Sequence, residues 1–346
     1  MNIHLALITK DISTKNSNLL NAIRGLSSLI VLIAHAVQIF KPSANYWAAP
    51  LAGASVTVFF VLSGFFIHKS LSKAFQYEEG WKRFLISRFD RIAPPFIACI
   101  FLTVLLWTLS PYLFSTQSYK FITPTAREAY SIDGLWVTIL FLNGFLAPTL
   151  SSNGPLWSLT YEIWYYLLFL LFFKFIDNTR LLATVSIVIF ILTLLSPLFL
   201  IYGSMWLIGV IVSILHANNK LFEKRISLHW LLTLALYIFT IAVDSSYEKY
   251  ISLIFSLMFG LSFSLQLISI INFNNVKAPK MLIFLGDFSY SLYVFHFPIL
   301  LFVYGINERG VMLGLALSLL VSMLIGYPLE KYRPLKKYID GMLINK

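Results

Sequence analysis

Apolar runs of about membrane length recur from one end of the sequence to the other, at 19–40, 51–70, 93–114, 157–176, 181–201, 203–217, 228–244, 250–272, 281–304 and 310–329. A helix needs about 20 apolar residues to cross hydrocarbon, and an open sheet cannot exist there because its edge groups would go unsatisfied. The pattern therefore predicts an all-α fold, a polytopic membrane bundle of about ten transmembrane helices. Composition agrees: 12% of the residues are charged, against about 25% in soluble domains. An eleventh apolar piece, Gly134 to Ala147, is bounded by Asp133 and Pro148 and is too short to span. It reads as a short re-entrant or interfacial segment.

The basic residues orient this bundle. With the N-terminus in the cytoplasm and 134–147 not crossing, twenty of the 26 Lys and Arg fall on the cytoplasmic side and five on the other, with Arg24 inside the first run. That asymmetry is the positive-inside pattern, and it places both termini in the cytoplasm. The net charge of +11 is thus distributed as membrane topology and not as a nucleic-acid-binding stripe. No nucleic-acid partner is expected; the bilayer is. Cys99 stands alone, so there is no internal disulfide and no cysteine set for a structural metal, and no metal is expected. The polar lead 1–18 lacks a small-residue cleavage site and is expected to stay on the chain. No linker or repeat interrupts residues 1–346, which read as one membrane domain with a cytoplasmic tail at 331–346.

The first run carries an arginine and a histidine eleven residues apart, Arg24 and His35. At about 100° per residue, eleven steps return close to the starting azimuth, so the two share a helix face roughly 16 Å apart. A guanidinium inside a membrane helix costs at least about 2.5 kcal/mol near the centre, so it belongs near an end, facing a bundle interior or a partner. Separately, Arg24 reads equally well as an anchor in the headgroups and His35 as a hydrogen-bonded core histidine. Their pairing on one face favours a functional site.

The topology gives other intramembrane polar groups a depth. His35, Glu162 and His296 fall in the outer half, whereas Arg24, Arg88 and Arg91 gather toward the cytoplasm. Glu162 reads either as a structural partner or as the carboxylate that orients and charges His35 as a general base. His296, two residues before Pro298, reads either as a satisfier of freed carbonyls or as a member of the site. Between the second and third runs, Trp81, Phe84, Leu85, Phe89 and Ile92 alternate with Lys82, Arg83, Arg88 and Arg91 as in an amphipathic surface helix. Its basic face suits anionic lipid or a phosphate-bearing ligand, and Pro94-Pro95 is expected to begin a new helix whose amides add to an anion site. Trp157, Tyr161, Trp164, Tyr165 and Tyr166 suit an interfacial belt or a stacking wall for a sugar.

Taken together, these blocks resemble the integral-membrane acyltransferase-3 family, bacterial surface-glycan O-acyltransferases. Arg24-Gly25-Leu26 through His35 is similar to its arginine and histidine signature, and Phe59-Phe60-Val61-Leu62-Ser63-Gly64-Phe65 to its FFxLSGF block. Arg88-Phe89-Asp90-Arg91-Ile92-Ala93-Pro94 resembles its RxxRIxP block, and Trp157-Ser158-Leu159-Thr160-Tyr161-Glu162 its WSLxxE block. Ser289-Tyr290-Ser291-Leu292-Tyr293 leading to His296, Pro298 and Glu330 resembles its C-terminal signature. Ser27 replaces a usual alanine, and Asp90 sits in a block that is often more basic.

The resemblance implies O-acyl transfer, with acetyl-CoA as donor substrate and a lipid-linked or cell-surface glycan as acceptor, in a bacterial cytoplasmic membrane. It implies catalytic roles for His35, Glu162 and Arg24, and donor binding by Arg24, Arg88 and Arg91. Substrate or oxyanion contacts are expected from Ser63, Trp157, Tyr290 and His296. A proton-coupled secondary transporter is the competing class, since intramembrane Arg, His and Glu also build proton relays.

Overall fold

In the computed structural model, which describes residues 10–114, 132–218, 235, 248–272 and 277–332, helices occupy the apolar runs and the described residues contain no strand. In chain order they are α1 (Thr14–Phe40), α2 (Asn45–Ala74), α3 (Gly80–Leu113), the short α4 (Leu135–Ile139), α5 (Trp157–Lys174) and α6 (Thr179–Leu195). There follow α7 (Pro197–Ala217), α8 (Glu248–Asn272), α9 (Lys280–Asp287), α10 (Ser289–Ile306), α11 (Val311–Val321) and, after a π turn at Ser322–Gly326, α12 (Tyr327–Lys331). Among the described residues, seven helices are long and apolar enough to cross a membrane. Thr179–Leu195 and Leu257–Asn272 are shorter apolar helices. The expected run 228–244 lies outside the described residues, apart from position 235.

Two expected boundaries are corrected. Pro94 and Pro95 do not start a helix: α3 runs through them from Gly80 to Leu113. A proline has no N–H to give the carbonyl four residues back and its ring crowds that carbonyl, so the ladder bonds from 94 to Asp90 and from 95 to Arg91 are not made while the helix continues. There is accordingly no free helix N-terminus at 94 to bind an anion. The run 281–304 is not one helix either. It breaks at Phe288 between α9 and α10, where the Ser291 N–H is taken at 2.7 Å by the buried carboxylate of Glu330. The segment 134–147 forms the five-residue α4, entered through Gly134 at φ 80°, a left-handed conformation suited to glycine, and then turns back on itself through Asn143 and Ala147.

The chain packs as two units, one of residues 1–24, 53–85 and 161–283, the other of residues 25–52, 86–160 and 284–346. In the first, α2 and α7 meet backbone to backbone. A β-carbon added to Gly209 would lie 2.0 Å from the Val61 carbonyl oxygen, so only a glycine permits this approach. Phe60, Tyr165, Phe199 and Tyr202 fill the adjoining space, with the Tyr165 hydroxyl donating to the Phe199 carbonyl at 2.6 Å. Asn16 donates to the Ile271 carbonyl at 2.9 Å, tying α1 to α8. Just before α1, Lys73 donates to Asp11 at 3.0 Å, and that bond holds the exposed carboxyl below its ordinary range.

The second unit is built around α10, most of whose side chains are buried. The α11 helix crosses it at Gly314, where an added β-carbon would touch Leu300 at 3.0 Å. The 3-10 segment Ser151–Leu156 lies against the middle of α10: the Tyr293 hydroxyl donates to the Pro155 carbonyl at 3.0 Å and stands 2.6 Å from Ser158 Oγ.

Candidate active site

His35 and His296 come together in the second unit. Nδ1 of His35 lies 2.8 Å from Nε2 of His296, with the rings 8° from parallel and their centroids 5.1 Å apart. His296 is 1% exposed, whereas His35 is half-buried. Phe297 presents its edge to the His35 ring at 5.3 Å.

The second bond of His296 fixes the protons. Its Nδ1 is 3.0 Å from the Leu292 carbonyl oxygen, which can only accept. In a neutral pair, therefore, His296 carries its proton on Nδ1 and offers a lone pair at Nε2. His35 must then donate its Nδ1–H to that lone pair. The proton-free nitrogen of His35 is consequently Nε2, and no hydrogen bond to it occurs among the described residues. An imidazole so held presents one basic, oriented nitrogen, which is what a general base or nucleophile requires.

A second polar group forms in the first unit. Ser63 Oγ donates to Glu162 Oε1 at 2.7 Å, the Tyr166 hydroxyl donates to the same oxygen, and the two hydroxyls are 3.0 Å apart. Trp206 Nε1–H donates to Ser63 Oγ at 3.2 Å. The donors converge, so one carboxylate oxygen is fixed; the other makes no hydrogen bond among the described residues. The serine of one expected block and the glutamate of another thus form one network. Tyr166 and Trp206 complete it, although the sequence marks Tyr166 only as one of several aromatics and Trp206 not at all.

The remaining expected residues are placed as follows. Arg24 is half-buried on α1, and Arg88 and Arg91 are half-buried on α3, beside the buried Asp90. Trp157 opens α5 and is half-buried. Tyr290 spends its hydroxyl proton on the Ile92 carbonyl at 3.1 Å, which ties α10 to α3.

Comparison with known proteins identifies the family. A family described as an acyltransferase domain, acyltransferase-3, matches residues 18–331. The chain belongs to the acyltransferase-3 family. It is a membrane acyltransferase in which the family match includes both histidines, Glu162 and the three arginines. "Putative acetyltransferase ORF330" of Acidianus two-tailed virus is 25% identical over 322 residues, covering 86% of this chain and 86% of the viral protein. No solved structure matches the chain significantly.

Proposed function

We propose that this acyltransferase-3 protein moves an acetyl group from acetyl-CoA to a hydroxyl of a lipid-linked or cell-surface glycan in a bacterial cytoplasmic membrane, with His35 as its base. The observation that carries this reading is the ordered chain from the Leu292 carbonyl through His296 to His35, which leaves the proton-free Nε2 of His35 with no hydrogen bond among the described residues.

In the proposed reaction Nε2 of His35 takes the proton of the acceptor hydroxyl as its oxygen attacks the thioester carbonyl carbon. The C–O bond forms and the C–S bond breaks. The departing CoA sulfur then takes the proton from the imidazolium, returning His35 to its starting state. His296 holds the tautomer throughout, the part that a carboxylate plays in other histidine dyads. Arg88 and Arg91, with Arg24, bind the donor phosphates, to which guanidinium groups are matched. Glu162, with one oxygen fixed by Ser63 and Tyr166, offers the other to a donor.

Purified protein in lipid nanodiscs with acetyl-CoA and a short alkyl glycoside tests the reading. The expected result is release of CoA with acetylation of the glycoside, both lost in His35→Ala. Accumulation of an unmodified solute in vesicles, with no CoA released, would replace it with the transporter reading.

A further inference from the structure

Pro298 lies inside α10 and has no N–H, so the carbonyl four residues back, that of Val294, loses its helical donor. In an apolar interior such a carbonyl must find another partner. It finds two. Asn153 Nδ2 donates to the Val294 oxygen at 2.9 Å, and the Cys99 thiol reaches it at 2.9 Å. Both side chains are 0% exposed.

The identity of the donor is fixed by its surroundings. A carbonyl can only accept, so the carboxamide must turn its nitrogen to Val294. The Asn153 oxygen is then buried with no hydrogen-bond partner among the described residues. The carboxamide is thus oriented by what it donates and not by what it accepts. What it supplies is a donor at Val294, two residues before His296. The neighbouring residues of the segment lie along the same stretch of α10. A β-carbon on Gly154 would come within 4.0 Å of Phe297, and the Pro155 carbonyl receives the Tyr293 hydroxyl at 3.0 Å.

We infer that Asn153 is a positioning residue for the histidine pair. By holding the carbonyl that Pro298 releases, it fixes the turn of α10 that sets His296 Nδ1 on the Leu292 carbonyl and His296 Nε2 against His35. The inference deepens the proposed acyl transfer and, for its kinetic consequence alone, rests on His35 being the base.

The decisive measurement does not use activity. Solid-state NMR of [15N]histidine-labelled full-length protein in lipid, assigned with His35→Gln and His296→Gln, reports which nitrogen of each ring carries the proton. The wild type is expected to show His35 protonated at Nδ1, and Asn153→Ala to lose that signature. If Asn153→Ala does not accumulate, Cys99→Ala removes the other donor and is expected to give the same change in a smaller share of molecules. An unchanged His35 spectrum in whichever variant folds would overturn the inference. In turnover of acetyl-CoA, Asn153→Ala should lower kcat at least tenfold with KM for acetyl-CoA within threefold. Combining it with His296→Gln should cost no more than threefold beyond the worse single variant. Multiplying losses would mean that Asn153 acts independently of His296, which also overturns it. A wild-type protein that turns over no acetyl-CoA would refute the acyl-transfer reading and leave the NMR comparison to decide the role of Asn153.

Discussion

A β-carbon placed on Gly64 would stand 1.9 Å from the carbonyl oxygen of Trp206. The glycine of the Leu62-Ser63-Gly64-Phe65 block is therefore the point at which α2 rests on the backbone of α7, one residue from the serine that Trp206 itself contacts. Gly64→Ala must push the helices apart, a cost of about 1–3 kcal/mol by analogy with overpacked cores. A lower thermal midpoint in detergent, accompanied by lost activity, is the expected result; an unchanged midpoint would refute the contact.

The histidine pair yields a graded prediction. His35→Ala removes the base and should lower transfer by about 10²–10⁴-fold. His296→Gln should lower it less, since a carboxamide can still accept the Nδ1–H of His35. His296→Leu, which cannot, should approach the loss seen in His35→Ala. Rates of CoA release for the three variants provide the check, and equal activity of the Gln and Leu variants would contradict the tautomer assignment.

Arg24→Lys separates a bidentate phosphate contact from a simple charge. An ammonium does not reproduce the guanidinium fork, so the lysine variant should raise KM for acetyl-CoA by about tenfold or more. Near-normal KM would mean that charge at this position suffices.

The first-unit network predicts coupling. Ser63→Ala and Tyr166→Phe each remove a donor to the same oxygen of Glu162, and neither should cost much in a Glu162→Gln background. Double-mutant cycles on transfer rate provide the measurement. Additive losses in the logarithm of rate would show that the three side chains act separately.

Glu330 accepts the Ser291 N–H at 2.7 Å where α10 begins. Glu330→Ala should destabilise the protein by about 0.5–2 kcal/mol, as loss of a helix cap does, while Glu330→Gln keeps an acceptor and most of the stability. Thermal unfolding of the two variants in the same detergent distinguishes them.

Much of this was legible in the sequence because apolar length and titratable residues carry direct physical constraints. Arg24, His35, Glu162 and His296 stand out as polar groups in membrane-length runs, where each needs a reason to be. The partnership of His35 with His296 was not legible, since shared depth does not say which two of three groups meet. Nor was the continuity of α3 through Pro94-Pro95, because a proline pair breaks or merely bends a helix according to whether other groups satisfy the released carbonyls. Pro298 did announce that a backbone carbonyl near His296 would be freed, and His296 was one candidate to satisfy it. The sequence could not say that Asn153, 141 residues upstream, would supply the donor.

The sole thiol of the protein is fully enclosed, with Cys99 Sγ 2.9 Å from the Val294 carbonyl. A maleimide or methanethiosulfonate reagent requires an accessible thiolate, and this sulfur offers none. The native chain is thus already silent toward such reagents. Single cysteines introduced between the apolar runs or in the C-terminal tail, Asp340→Cys among them, will report sidedness without any prior substitution, leaving the α10 scaffold intact while the orientation of the polypeptide in the bilayer is mapped.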